Sequence, residues 1–286
     1  MKYRFIADHE REYSVKQMCQ VLGVQRSGYY AWKNRPVNSR EQANEELLAK
    51  VRQAFHHSRC TYGSLRIHHY WPRRGYHFSR HRIARLMKSA HMIPVRMTKW
   101  HPRTTQQRLG NRIAPNLLNQ DFQATHPNQK WVGDITYIDT AEGWLYLAVI
   151  LDLFARRVVG WAMGDHLDAN LVERAWQMAV INHHPPAQLL HHSDRGSQYT
   201  SQAYWKLLTK AKCTLSMSRT GNVYDNAAME SFFATLKREC AVSQFTTRAE
   251  ARSAIFEFIE VWYNRQRLHS SLGYFSPEEF EQSSGH

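Results

Sequence analysis

Three acidic residues stand in contexts where a carboxylate can do chemistry. Asp194 lies in His191-His192-Ser193-Asp194-Arg195-Gly196-Ser197-Gln198-Tyr199, past the apolar run Gln188-Leu189-Leu190 and beside a glycine turn. Glu230 follows 36 positions later in Asp225-Asn226-Ala227-Ala228-Met229-Glu230, and Asp134 precedes Asp194 by 60 positions. In-line attack on a phosphodiester needs an activated oxygen nucleophile, a stabilised leaving oxygen and a neutralised phosphate. Two divalent ions about 4 Å apart, held by hard carboxylate ligands, meet all three needs.

The elements around these residues must bring them together. Lys130–Ile138, Trp144–Leu153 and Arg156–Met163 are rich in β-branched and aromatic residues and read as strands, with turns at Glu142-Gly143 and Phe154-Ala155 short enough for antiparallel hairpins. A helix over Asp168–His183 with Asp168 as its cap, a strand ending at Asp194, a helix over Ser201–Lys212 and a strand over Cys213–Ser218 follow. Helices over Asp225–Glu239 and Thr247 to about Leu268 complete the pattern, a mixed α/β domain. Asp134 and Asp194 would be side by side if the first and fourth strands are neighbours. At about 100° per residue, Lys237 returns to within about 20° of Glu230 and Asn226 lies about 40° away, whereas Asp225 and Glu239 fall elsewhere on the helix. Asp225 is read as the N-cap, and Ala227-Ala228 would let the helix approach the sheet closely.

The chain before this domain is different. Its 286 residues carry a formal charge of +14, but through Arg112 there are 23 Lys/Arg against 6 Asp/Glu, and from Ile113 onward 15 against 18. A strongly basic part joined to a nearly neutral one suggests a nucleic-acid grip. Residues 14–34 read as two short helices about Gly23, with Ser14 as cap and Val15, Met18, Cys19 and Leu22 as one apolar face. A longer helix over 39–57 and helices over 64–71 and 79–88 form a second, more basic helix-turn-helix outline. There Ile83, Leu86 and Met87 face a core and Arg80, Arg82 and Arg85 are left as candidate phosphate contacts. Lys99–Arg112 lacks periodicity and reads as a linker able to lie along phosphates through Lys99, Arg103 and Arg108. The resulting organisation is a helix-turn-helix-like segment at 1–38, a second helical domain at 39–95, a basic linker at 96–120 and a catalytic core with a helical tail at 121–286. The scattered Cys19, Cys60, Cys213 and Cys240 suggest neither disulfides nor a zinc ribbon, and there is no signal core or long apolar run. A soluble cytoplasmic protein without a membrane partner is expected.

Taken together, these residues resemble the insertion-sequence transposases of the DDE class with a retroviral-integrase-like core, specifically the OrfB-type products of the third insertion-sequence family. The resemblance is carried by Trp131-Val132-Gly133-Asp134-Ile135-Thr136-Tyr137, by His192 to Tyr199, by the gap of 35 residues before Glu230, and by Glu230-Ser231-Phe232-Phe233. It extends to the tail Trp262-Tyr263-Asn264-Arg265-Gln266-Arg267-Leu268-His269-Ser270-Ser271-Leu272-Gly273-Tyr274 and back to Gly28-Tyr29-Tyr30-Ala31-Trp32 and Tyr62-Gly63-Ser64-Leu65-Arg66-Ile67. It implies a ribonuclease-H-like core with a mixed five-stranded sheet and flanking helices, preceded by an all-α helix-turn-helix region. It further implies Asp134, Asp194 and Glu230 as the metal-binding triad, two Mg²⁺ (or Mn²⁺) ions as cofactor, and transposon-end and target DNA as substrates. Lys237 matches the family's basic residue seven positions past the glutamate, where end DNA is contacted. The resemblance also implies a bacterial, nucleoid-associated enzyme acting as at least a homodimer on DNA, with an upstream-frame OrfA-type partner or fusion. The absence of paired N-terminal cysteines departs from the zinc module of retroviral integrases.

Other conspicuous residues have plainer readings. Asp152 is read as a strand-end residue rather than a fourth ligand, and the pairs His56-His57, His68-His69 and His183-His184 as surface or capping groups. His192 shares the strand parity of Asp194 and is the candidate supporting residue. Tyr29, Tyr30 and Trp32 are read as core rather than base-stacking. The rival functions are a non-catalytic DNA-binding regulator, a ribonuclease-H-type nuclease, and a recombinase with a protein-linked intermediate.

Overall fold

The structure, a computed structural model, describes residues 1–34, 39–95, 112–219, 223–241 and 244–284. Contacts divide it into two compact units, residues 1–53 and 54–286. In the first, helices α1 (Lys2–Asp8), α2 (Val15–Val21) and α3 (Arg26–Lys33) bury Ile6, Met18, Cys19 and Tyr29. The apolar face read over 15–22 is the one used, but Ser14 occupies the cap position without a side-chain bond. Tyr29 is fully buried and donates to Glu10, while Tyr30 and Trp32 are each 41% exposed, so only the first of the three is core. Helix α4 (Ser39–His57) runs across the division.

The second unit contains α5 (Ser64–Tyr70) and α6 (Arg80–Ser89) and then a five-stranded sheet. Ile83, Leu86 and Met87 are the buried residues of α6, as its periodicity requires. Strands β1 (Lys130–Ile138), β2 (Leu145–Asp152) and β3 (Arg157–Gly164) form an antiparallel meander. After α7 (Ala169–His183) the chain returns as β4 (Leu190–Ser193) parallel to β1, and after α8 (Gln202–Lys210) as β5 (Thr214–Met217) parallel to β4. The order β3-β2-β1-β4-β5 makes β1 the central strand. Helices α9 (Ala227–Glu239), α10 (Arg248–Phe256) and α11 (Pro277–Ser283) complete the chain.

One core lies between the sheet and α7 and α8, where Trp131, Ala148, Ile150 and Ala162 meet Trp176, Ala179 and Leu208. Gly160 makes this closeness possible: a Cβ there would lie 2.9 Å from the backbone N of Ala179.

Two elements differ from the sequence expectation. Asp225 does not cap α9; it lies in a 3₁₀ turn, Val223–Asn226, and Asn226 is the cap residue. The helix expected to run from Thr247 to about Leu268 is regular only to Phe256 and widens into a π-helical segment, Glu257–Tyr263, that buries Phe258, Ile259, Trp262 and Tyr263. Among the described residues no helix is long and apolar enough to cross a membrane.

Candidate active site

β1 and β4 pair in parallel with Gly133 opposite Ser193, so Asp134 and Asp194 each stand one residue past that pair, next to each other at the sheet's centre. Each carboxylate is oriented locally. Asp134 Oδ1 accepts from the Ile135 N–H (2.7 Å) and Asp194 Oδ1 from the Gly196 N–H (2.9 Å). A Cβ at Gly196 would lie 3.0 Å from that same Oδ1, so the close backbone approach depends on glycine.

Helix α9 packs on β1, and its cap residue Asn226 and its residues Glu230 and Lys237 carry the polar groups nearest the two carboxylates. Asn226 Nδ2 donates to Asp134 Oδ2 (2.8 Å), and Asn226 Oδ1 is buried without a partner among the described residues. Lys237 is half-buried; burial lowers its proton affinity, and the Asp134 charge opposes that. Glu230 is exposed on the first turn of α9. Asp134 titrates well above the usual carboxylate range, first because it is desolvated and then because the charges of Asp194 and Glu230 oppose its ionisation. Burial raises Asp194 as well, with the Gly196 N–H working against it. Among the described residues no three His, Cys, Asp or Glu side chains are drawn together closely enough to hold an ion. Two carboxylates are therefore adjacent, and the third is close enough to be felt but turned to solvent.

The neighbouring polar residues hold this geometry. Asp225, fully buried, accepts from Arg219 N and Nη2, from Asn116 Nδ2 and from Gln120 Nε2 at 2.9 to 3.2 Å, and the Arg219 bonds bring its pKa down to about 2. It fastens the start of α9 to two segments that sequence reasoning did not connect with it. His192 is on the Asp134 face of the sheet, but its Nδ1 is bonded to Ser216 Oγ (2.8 Å) and its Nε2 to Ser218 Oγ (3.0 Å). Burial holds it neutral, at a pKa of about 4. His191 faces the opposite core, bonded to Tyr204 Oη. Asp152 accepts from the Asn128 and Phe154 N–H groups at 2.7 and 2.9 Å and ties the end of β2 to the start of β1. Burial raises it to about 6.

Two integrase core domain families match residues 124–223 and 211–277, and an HTH-like domain family matches residues 42–100. The chain is 42% identical over 284 residues to transposase InsF for insertion sequence IS3A of Escherichia coli (strain K12), covering 98% of each. It is 45% identical over 266 residues to the insertion element IS600 uncharacterized 31 kDa protein of Shigella sonnei, covering 93% of this chain and 97% of that one. The chain belongs to the insertion-sequence transposases. Solved structures similar to this transposase include the HTLV-2 integrase catalytic core domain in complex with magnesium, at 16% identity and TM-score 0.41, covering 56% of this chain and 99% of that one. The BIV integrase core, at 18% and 0.42, covers 56% and 97%.

The transposase acts on DNA, and its candidate DNA contacts are unevenly placed. Arg80 and Arg85 are exposed on α6, while Arg82 is half-buried. Lys99, Arg103 and Arg108 lie outside the described residues. Asn226, a candidate DNA contact on the Glu230 face of its helix, is half-buried and donates to Asp134.

Proposed function

We propose that this transposase cuts the ends of its element and joins them to target DNA at Asp134, Asp194 and Glu230, with divalent metal held by those carboxylates. The observation that carries this reading is the adjacency of Asp134 and Asp194 on central parallel strands, with α9 bonded to Asp134 through Asn226. The donor set fits Mg²⁺ or Mn²⁺. All ligands are hard oxygens, and the buried Oδ1 of Asn226 lacks a partner among the described residues. Burial first, and then the charges of Asp194 and Glu230, oppose ionisation of Asp134, and a bound cation offsets both. When bound, two such ions supply the activation of the attacking oxygen and the stabilisation of the leaving one.

The chain's own residues do the positioning. Asn226 fixes the Asp134 carboxylate, the Gly196 N–H fixes that of Asp194, and Glu230 turns inward from solvent to complete the set. Lys237 sits beside Asp134 to neutralise a phosphate oxygen of end DNA. His192 acts as a positioning residue, bridging β4 to Ser216 and Ser218. In the first reaction water forms a bond to phosphorus and the bond to the 3′ oxygen breaks, leaving a 3′-hydroxyl. In the second, that hydroxyl attacks a target phosphodiester and displaces another 3′ oxygen. No protein-linked intermediate is required. The enzyme works as at least a dimer on DNA, alone or with an OrfA-type partner, while the basic helical region at 39–95 and the 96–120 linker track phosphates.

Asp134→Asn, Asp194→Asn and Glu230→Gln each test the assignment. In Mg²⁺ or Mn²⁺ each variant is expected to bind duplex DNA as the parent does while cleavage and joining fall below detection. Retained strand transfer in any of the three, or cleavage of RNA/DNA hybrids without joined products by the parent, would refute it.

A further inference from the structure

Two stretches that the sequence singles out, Tyr62–Ile67 and Trp262–Tyr274, meet around a cleft of about 520 Å³ on a different face of α9 from Glu230. Four arginines line it: Arg66 from α5, Arg156 from the β2–β3 turn, Arg238 from α9 and Arg267 after the π-helical segment. They are unequally neutralised. The buried Glu239 carboxylate binds Arg267 through Nε and Nη2, both at 2.9 Å, and takes Arg238 Nη2 at 3.2 Å. Among the described residues neither Arg66 nor Arg156 is paired with a carboxylate. Arg66 lies 5.7 Å from the Tyr62 ring, and Arg156 reaches only the Phe122 carbonyl at 3.5 Å. Four cations thus share one anion. Burial lowers the proton affinity of Arg66, and the adjoining Arg267 charge lowers it further. Desolvated guanidinium groups without a counter-charge are costly, and their planar forks suit phosphate oxygens.

The shape separates a strand from a lone anion. One wall is the stripe from Ala227 through Ser231 to Arg238, a span of helix about 16 Å long. Its small side chains keep that wall low. Ser231 and Ser270 stand exposed at the rim as further donors, over a buried floor of Phe232 and Tyr263. A single phosphate would use a fraction of that length. Ser231 of this stripe is the residue next to Glu230 in sequence, about 100° round the same helix.

From this geometry we infer that the cleft is a second DNA subsite, taking the phosphodiester backbone of a strand that continues past the triad, with Arg66 and Arg156 as the principal phosphate contacts. The inference rests on the reading of Asp134, Asp194 and Glu230 as the reacting centre. It adds residues far apart in the chain to the DNA path.

Binding of the full chain to a fluorescent random-sequence duplex with a 3′ single-stranded extension tests it, measured without divalent metal across a salt series. Arg66→Gln/Arg156→Gln is expected to weaken binding by 10-fold or more at moderate salt and to lower the slope of log affinity against log salt by about 0.7 to 0.9 per arginine. Arg66→Lys/Arg156→Lys should recover most of the slope, which separates lost charge from lost packing. The charge-matched pair Lys206→Gln/Lys210→Gln, on exposed positions of α8, should change the slope by less than half as much. An unchanged slope in a variant that melts like the parent would overturn the proposal, as would an equal loss in the α8 pair. Displacement of the DNA by millimolar inorganic phosphate at constant ionic strength would also overturn it, because the cleft would then be a free-anion site. Because binding is read without metal, failure of the triad assignment shows in the cleavage assay and leaves this measurement standing.

Discussion

Asn226 uses the two ends of its carboxamide differently: the nitrogen is bonded to Asp134, and the oxygen is buried and unpaired. Its truncation to alanine is expected to leave folding intact and weaken metal dependence by about 10-fold to 100-fold, read as the concentration of Mn²⁺ or Mg²⁺ needed for half-maximal cleavage. An unchanged metal titration would remove Asn226 from the site. His191 makes a second residue-scale prediction. Burial, and then the neighbouring His192, hold its pKa at about 3, against 6.5 when unfolded. The unfolded chain therefore binds the extra proton first, and the contribution of His191 is complete above pH 6.5 and lost as pH falls towards 3. Asp152, raised by burial to about 6, has the opposite sign, so the useful quantity is a difference between proteins. The stability gap between the parent and His191→Gln should shrink by about 1.4 kcal/mol per pH unit below 6.5, measured by urea unfolding. A gap constant from pH 8 to 5 would contradict the assignment. That Asp134 lies on a strand and Asp194 just past a strand end was readable from local composition, whereas the pairing of those two strands appears only in the fold. The role of Asp225 was not readable, since its partners Asn116 and Gln120 lie more than a hundred positions away and no local pattern names them.

At the scale of elements, the sheet was readable almost strand by strand, because β-branched runs bounded by turn residues leave few alternatives. Termini were less so. The first turn of α9 is displaced to Ala227 because Asp225 is drawn away by Arg219, an interaction that outcompetes capping. The π-helical widening after Phe256 was invisible because apolar residues at 258, 259, 262 and 263 suit a regular helix equally well. Close packing of β3 on α7 is the element-scale feature most open to test. Gly160→Ala puts a methyl 2.7 Å from the Ala179 Cβ and even closer to the Ala175 carbonyl, and neither partner is a flexible chain end. A loss of about 1–3 kcal/mol or more is expected in denaturant unfolding. A neutral result would mean that α7 is free to slide on the sheet.

The whole molecule joins regions that look separable in sequence. The Tyr62 hydroxyl accepts the Leu268 N–H at 2.7 Å in a buried setting, the His69 and Tyr274 rings stack at 3.7 Å, and Arg73 lies 4.0 Å from the Phe275 ring while pairing with Glu279. All of these partners fall in the unit that begins at Ala54. Tyr62→Phe would strand the buried Leu268 N–H and should cost about 1–3 kcal/mol, seen as one cooperative transition at lower temperature. Two separate transitions would show that residues 54–95 fold apart from the core. The tail motif was legible as a pattern but not as a fastener, since nothing in a linear reading tells which distant face it will cover. This fastening bears on how the helical module can be exchanged between relatives. A chimaera that exchanges only residues 42–100 with a relative would part Tyr62, His69 and Arg73 from the tail that evolved against them. Grafts that carry Trp262–Phe280 along with the helical module are the ones to build.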